Sequence, residues 1–173
     1  MNELKPVTHV VVPGTFDPVT YGHLDVIMRA RRLFPHVTVA VAESKGKNGT
    51  GTVFTLDERV DMIRSTLEDL GSSDGIEVQP FCGLLMNFCH EVEADGVVKG
   101  LRAMTDFEYE LQQADLNHRM SPDVESIFVM SAPDYSYVSS SVVRELASLG
   151  SDVSLLVPSV VERRLRERFG TRA

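Results

Sequence analysis

Several things are scarce in this sequence, and each shortage excludes something. No apolar run approaches the roughly 20 residues that span a bilayer. The opening residues Met1, Asn2, Glu3, Leu4 and Lys5 lack the basic-then-apolar layout of a secretion signal. The expected location is therefore the cytoplasm, with no membrane partner. Positive charge is short as well: 17 Lys and Arg stand against 25 Asp and Glu, for a formal net charge of -8. A protein that binds nucleic acid broadly needs a basic face to displace counterions from the phosphate backbone, so nucleic acid is not an expected partner. Cysteine occurs only at 82 and 89, a spacing that fits no zinc-ligand pattern. Both thiols are expected to be free and buried, and no protein-ligated metal is expected. Internal repeats and low-complexity tracts are absent, and residues 1–173 read as one domain, long enough to bury a core without disulfides.

What is present centres on residues 13–23, PGTFDPVTYGH. A β-branched run at 7–12 reads as a buried strand, and a helical pattern begins near Leu24. The order is strand, glycine-bearing loop, helix. Unpaired backbone N–H groups at such a helix start point into the loop, where the helix dipole favours a phosphate. His23 sits at that positive end. Gly14 and Gly22 are expected to permit close approach of a ligand, while Pro13 and Pro18 stiffen the path between them.

The rest of the chain alternates. Val26, Ile27, Ala30, Leu33 and Phe34 mark the core face of the first helix, which Pro35 ends. A strand is expected at 37–42, then a polar loop at 43–52. Thr55 and Glu58 form a capping-box pattern before a helical face of Leu56, Val60, Ile63, Leu67 and Leu70. Strands at 76–79, 96–99 and 126–130 are separated by helices at 84–92 and around Phe107, Leu111, Ala114 and His118; helices at 140–149 and 158–169 close the chain. This alternation predicts an α/β fold, a doubly wound five-stranded parallel sheet with helices on both faces. Ligands of such sheets bind beyond the carboxyl ends of the strands. The arginines at 163, 164, 166, 168 and 172 read as a solvated helix end, where cations suit the dipole.

Polar residues fall where that crevice requires them. Lys45 and Lys47 follow the second strand, Lys99 and Arg102 the fourth, and Ser139, Ser140 and Ser141 precede a helix. Two cations around Gly100 at the end of a buried strand are costly unless an anion or acid pairs with them. Asp106, Glu108 and Glu110 lie in the first turn of the next helix, and Glu110 shares a face with Asp106 from which it reaches back toward Lys99 and Arg102. The ensemble suits a polyphosphate.

Five stretches in order, PGTFDPVTYGH at 13–23, FTLDER at 54–59, LLMNF at 84–88, KGLRAMTDFEYE at 99–110 and YSYVSSS at 135–141, resemble bacterial phosphopantetheine adenylyltransferases of the nucleotidylyltransferase superfamily, with its T/HxGH motif. The resemblance implies a Rossmann-like nucleotidylyltransferase fold and transfer of the adenylyl group of ATP to 4′-phosphopantetheine with magnesium, giving dephospho-coenzyme A and pyrophosphate. It implies that His23 stabilises charge on the α-phosphate, and that Thr15, Lys47, Leu85 and Lys99 hold phosphopantetheine. ATP would meet Thr15, Phe16, His23, Gly100, Leu101, Arg102, Glu110, Tyr135, Ser136, Tyr137, Val138, Ser139, Ser140 and Ser141. A homohexamer and feedback inhibition by coenzyme A follow from the same resemblance. Two departures stand out: lysine at 99 where many relatives carry arginine, and a loop about three residues longer before Val53, which leaves Lys45 an alternative to Lys47. Other readings are a cytidylyl or nicotinamide-nucleotide transferase, or a non-catalytic nucleotide-binding module. A class I aminoacyl-tRNA synthetase fragment would share the Gly-His pair, but the acidic charge and single-domain length oppose it.

Overall fold

The computed structural model describes residues 6–43, 51–102 and 104–170, and for 104–106 the backbone alone. Five strands, β1 (His9–Gly14), β2 (His36–Ala42), β3 (Ile76–Phe81), β4 (Gly96–Leu101) and β5 (Glu125–Met130), pair in parallel in the order β3-β2-β1-β4-β5. Between and after them run helices α1 (Tyr21–Leu33), α2 (Leu56–Asp69), α3 (Leu85–Glu91), α4 (Met104–Met120), α5 (Ser140–Ser148) and α6 (Ser159–Phe169), with a short 3-10 turn at Pro133–Tyr135. The order of strands reverses between β1 and β4. That is the switch point at which an open parallel sheet leaves a crevice.

Alternation along the strands assigns the two faces. Val10, Val12, Val37, Val39, Val41 and Val98 pack in one buried cluster with side chains of α1, α2, α5 and α6. Val11, Ala40 and Val97 point the other way, against Met86, Phe88 and Cys89 of α3. Because both faces are covered, the strands read as valine runs rather than as an apolar-polar alternation.

The helix boundaries follow local chemistry. At α2, Thr55 Oγ1 accepts from the Glu58 amide at 3.2 Å while Glu58 Oε2 accepts from the Thr55 amide at 2.8 Å, so both halves of the expected capping box form. That amide, more than the nearby Arg168, holds the Glu58 carboxyl below its usual range. The terminal arginines do more than face solvent: Arg164 pairs with Asp61 at 3.0 Å, and Arg168 pairs with Glu58 while lying 5.1 Å over the Phe54 ring, tying α6 to α2. Arg166 pairs with Glu162 on its own helix.

Four expectations need correction. Leu33 and Leu70 are exposed, because Leu33 is the last residue of α1 and Leu70 the residue that follows α2, both past the end of the packed stripe. Phe107 and Leu111 are also exposed: α4 packs chiefly on β4 and the edge strand β5, so much of its apolar surface stays open among the described residues. Cys82, just after β3, is exposed, and only Cys89 is the buried thiol, its pKa pushed up to about 12 by burial. The fourth strand runs on to Leu101, so Lys99 sits within it rather than after it.

Candidate functional site

The carboxyl ends of all five strands open into one cavity of about 600 Å³. Its wall is formed by residues 12–16 at the end of β1, Ala42 from β2, Phe81 and Leu85 around the β3–α3 turn, Lys99, Gly100 and Arg102 from β4, and Ser131 after β5. The first turn of α1 contributes Thr20, Gly22 and His23, α4 contributes Glu110, and the start of α5 contributes Val138, Ser139, Ser140 and Ser141. The volume lies within the range of small-molecule sites.

His23 is placed by a capping box in which an imidazole stands where Glu58 stands in α2. The Thr20 amide donates to His23 Nδ1 at 3.0 Å, and the His23 amide donates to Thr20 Oγ1 at 3.4 Å. A backbone N–H can only donate, so Nδ1 is the acceptor and the ring proton sits on Nε2. Burial, with a smaller contribution from the Arg102 charge, lowers the His23 pKa from 6.5 to about 4. The imidazole is thus neutral near pH 7. Its Nε2–H has no protein acceptor among the described residues, and no fully buried side-chain nitrogen there lacks a partner, so this donor opens on the cavity.

A relay of contacts fixes the ring. Phe16 adopts φ 50, a left-handed conformation rare for a bulky residue. That geometry folds its ring over Gly14, where a Cβ would lie 2.8 Å from Cζ, and sets it edge-on to His23 with centroids 5.0 Å apart. Gly14 is therefore required by Phe16. Gly22 is different: a Cβ there would meet nothing nearer than 3.5 Å, so the fold itself has room for a side chain and the expected role of Gly22 is left to ligand approach. The helix start also offers fewer free amides than expected. Tyr21 donates to the Leu156 carbonyl at 3.0 Å and His23 to Thr20, leaving Gly22 as the amide of this turn without an acceptor among the described residues. The serine run is similarly committed: Ser139 Oγ caps α5 by accepting from the Val142 amide, and Ser140 Oγ donates to the Pro18 carbonyl at 2.8 Å. Its backbone amides at 140 and 141, unlike those hydroxyls, have no acceptor among the described residues, as suits a helix start that meets an anion.

The cations of β4 have the partners that their setting requires. Lys99 Nζ lies 2.6 Å from Glu110 Oε2, both side chains about a quarter exposed, and so Glu110 does reach back to this strand. Arg102 Nη1 donates to the Val138 carbonyl at 3.4 Å. Two cations and one carboxylate leave the described lining with a net positive charge, on a chain whose total is -8. Gly100 is required by packing: a Cβ would fall 2.5 Å from Val26 Cγ2 of α1.

The structure does not bring every expected residue to the cavity wall. Leu101 is buried beneath it; Tyr135 packs beside Tyr21, with centroids 6.2 Å apart; Ser136 Oγ donates to the Pro133 carbonyl; and Tyr137 is exposed. Lys45 and Lys47 lie outside the described residues. Among the described residues, no group of three or more His, Cys, Asp or Glu is placed to hold a metal ion, and no helix is long and apolar enough to cross a membrane.

Three charged residues carry structure that the motifs contained but spacing did not single out. Asp17, inside PGTFDP, is 4% exposed and accepts from the amides of Val53 and Phe54, each at 2.9 Å. Arg144 of α5 donates to the Asp17 carbonyl and lies 3.7 Å from its carboxylate. Arg59, inside FTLDER, is buried beneath the loop at 13–20.

Comparison with known proteins agrees with this geometry. The family described as cytidylyltransferase-like matches residues 11–146. The phosphopantetheine adenylyltransferase of Methylobacillus flagellatus is 49% identical over 165 residues, 95% of this chain and 97% of its own length. That of Staphylococcus carnosus is 43% identical over 160 residues, 92% of this chain and 96% of its own. The chain belongs to the phosphopantetheine adenylyltransferase family, within the cytidylyltransferase-like group. Among solved structures, a putative nicotinate-nucleotide adenylyltransferase from Vibrio parahaemolyticus superposes with a TM-score of 0.66 at 16% identity, covering 97% of this chain and 98% of its own. A bifunctional NMN adenylyltransferase/ADP ribose pyrophosphatase from Francisella tularensis gives 0.71 at 16% identity, covering 96% of this chain and 51% of its own. At that identity the likeness extends to the fold alone.

Proposed function

We propose that the protein transfers the adenylyl group of ATP to 4′-phosphopantetheine, giving dephospho-coenzyme A and pyrophosphate, in the cytoplasm. The observation that carries this reading is the neutral imidazole of His23, held with its Nε2–H toward a cavity that also receives the amides of two helix starts and the cations of β4. The acceptor phosphate attacks the α-phosphorus in line and the bond to pyrophosphate breaks. The nucleophile is already anionic, so no general base is assigned and no covalent enzyme intermediate forms. The protein's part is to hold two mutually repelling anions in line and to stabilise the charge that develops between them.

His23 Nε2–H donates to an oxygen of the α-phosphoryl group, and the Gly22 amide supports it from the same turn. Thr15, Leu85 and Lys99, with Lys47 or its alternative Lys45, serve the acceptor; Thr15, Phe16, Gly100, Arg102, Glu110 and residues 138–141 serve ATP from the cavity wall, while Leu101 and residues 135–137 support them from outside it. Magnesium supplies further neutralisation of phosphate charge when bound, and the lack of a carboxylate cage among the described residues favours its being held by the phosphates themselves. The apolar surface of Phe107, Tyr109, Leu111 and Leu116 on α4 supports assembly with further copies, for which we propose a homohexamer. Coenzyme A, which carries the product's chemistry, is proposed as a feedback inhibitor of the same cavity.

One assay tests the reading. The protein is offered ATP or CTP with 4′-phosphopantetheine or nicotinamide mononucleotide, and products are identified by mass. Dephospho-coenzyme A with equal pyrophosphate is the expected result. Preferential use of CTP or of the mononucleotide would make it a different nucleotidylyltransferase, and no pyrophosphate in any combination would make it a binding module. Light scattering gives the assembly size.

A further inference from the structure

Arg59 is a charged side chain that the chemistry above leaves unused. It projects from the N-terminal part of α2 and is 2% exposed. Its Nη1 donates to the carbonyl of Thr15 at 2.6 Å and to that of Ala42 at 2.9 Å, and its Nε donates to the carbonyl of Phe54 at 3.3 Å. These acceptors belong to three segments far apart in sequence: the loop that leaves β1, the last residue of β2 and the turn that enters α2. A guanidinium out of water is tolerated only when its donors find acceptors, and here all the acceptors are main-chain oxygens.

The pattern closes on itself. Asp17, two residues after Thr15, accepts the amides of Val53 and Phe54, while the Phe54 carbonyl accepts from Arg59. The loop at 13–20 is therefore fastened on one side by its own carboxylate and on the other by a borrowed guanidinium. Thr15 and Ala42 both line the cavity, whereas Arg59 itself does not. An arginine needed only for the fold has no reason to choose the main chain of two cavity-lining residues on neighbouring strands.

We propose that Arg59 is a positioning residue for this site: by donating to Thr15 and Ala42 together it fixes the loop that leaves β1 against the end of β2, on the wall of the cavity in which the two phosphate-bearing substrates are brought into line. This rests on the adenylyl-transfer reading. Lysine cannot replace it, since a single ammonium does not reproduce a planar fork whose Nη1 serves two strands while Nε serves a third segment. An alignment error of about 1 Å at an in-line displacement costs on the order of a hundredfold in rate.

The test uses the full chain with Arg59→Lys and Arg59→Ala. Turnover, both Michaelis constants, thermal unfolding, and amide hydrogen exchange across residues 14–17 are measured for each. Arg59→Lys is expected to stay folded, to lose at least tenfold in kcat, to change the KM for ATP less than threefold, and to exchange faster at residues 15–17. Arg59→Ala is expected to recover part of its turnover when guanidinium is added at millimolar concentration. Parental kcat in Arg59→Lys would overturn the proposal, as would a loss that matches the fraction of unfolded protein. Failure of Arg59→Lys to fold would also overturn it, making the arginine a determinant of the fold. If the parent shows no adenylyl transfer, the functional reading fails, and exchange at residues 15–17 still decides whether Arg59 fixes the loop.

Discussion

His23 has two jobs on its two nitrogens, and isosteres separate them. In His23→Asn the amide oxygen sits close to the Nδ1 position, so it still accepts from the Thr20 amide and keeps the start of α1 capped, but nothing reaches the place of Nε2. In His23→Gln the terminal NH2 can take that place, and the side chain then gives up its reach back to the Thr20 amide, although Thr20 Oγ1 still caps α1. Removing a donor to developing charge costs on the order of a hundredfold in kcat, about 3 kcal/mol. Giving up that half of the capping box costs at most about 1 kcal/mol of stability. The asparagine variant is therefore expected to unfold near the parental temperature and to turn over about a hundredfold more slowly, with little change in KM for ATP. The glutamine variant is expected to be less stable and to keep more of the rate. Pyrophosphate release and thermal unfolding, run on the same preparations, give both numbers. Equal rate losses in the two variants, or parental turnover in the asparagine variant, would refute the assignment of the proton to Nε2.

The same geometry sets a pH window. Protonating Nδ1 would turn the Thr20 amide from a donor with an acceptor into a donor facing another N–H. Burial and, to a smaller extent, the Arg102 charge lower the His23 pKa from 6.5 to about 4, and that clash acts in the same direction. Because the folded value is the lower one, the unfolded chain takes up the proton first as pH falls. The contribution to stability is full above about pH 6.5 and is lost progressively toward about pH 4, with a limit of about 3 kcal/mol. At pH 5 about nine-tenths of the folded molecules still hold His23 neutral. Loss of turnover between pH 7 and 5 is thus not expected from this group.

Three further outcomes are expected. Glu110→Gln leaves Lys99 without its 2.6 Å carboxylate partner, so 4′-phosphopantetheine should bind the nucleotide-free protein about fivefold more tightly, the equivalent of about 1 kcal/mol; weaker binding by calorimetry would show that the carboxylate holds the lysine in place for the phosphate. Gly100→Ala puts a Cβ against Val26 at the end of β4 and should cost about 1–3 kcal/mol, read from urea unfolding, whereas Gly22→Ala should be tolerated by the fold, so that any large effect at 22 lies in ligand approach. Iodoacetamide at pH 8 should add once, at exposed Cys82, and leave Cys89, whose thiol is buried and held at about 12; a second adduct by mass would contradict the burial of Cys89.

The fold was legible because its strands are buried on both faces. A valine run at 10–12 and a valine-rich stretch at 37–41, separated by a helix with a capped start, leave few alternatives to a parallel sheet, and strand order then puts the β1 and β4 ends side by side. Errors arose where spacing speaks only of a helix and not of what lies opposite it. Phe107 and Leu111 repeat as a core face would, but α4 lies over the edge of the sheet, and although Phe107 meets Phe128 of β5 both side chains stay partly exposed. Boundaries moved outward for the same reason: strands β3 and β4 continue as far as their neighbours pair with them, to Phe81 and Leu101.

At the candidate site, the charges were legible and their pairings only partly so. Glu110 could be expected to reach Lys99 because both ends of that contact lie within a dozen residues and helical spacing fixes the direction. Arg59 could not, since its acceptors are main-chain oxygens at 15, 42 and 54, and a carbonyl carries no mark in the sequence. The same limit explains the surplus of expected donors. Ser139 is committed locally, as the cap of the Val142 amide, whereas Tyr21 and Ser140 look available to an anion until their partners Leu156 and Pro18 are brought near from more than a hundred residues away. A motif therefore overstates the number of groups that face a ligand and understates the number that hold the loop still. In this chain the loop at 13–20 is held by Asp17, Arg59 and Arg144, and that restraint leaves the Gly22 amide and His23 Nε2–H free to act on a substrate.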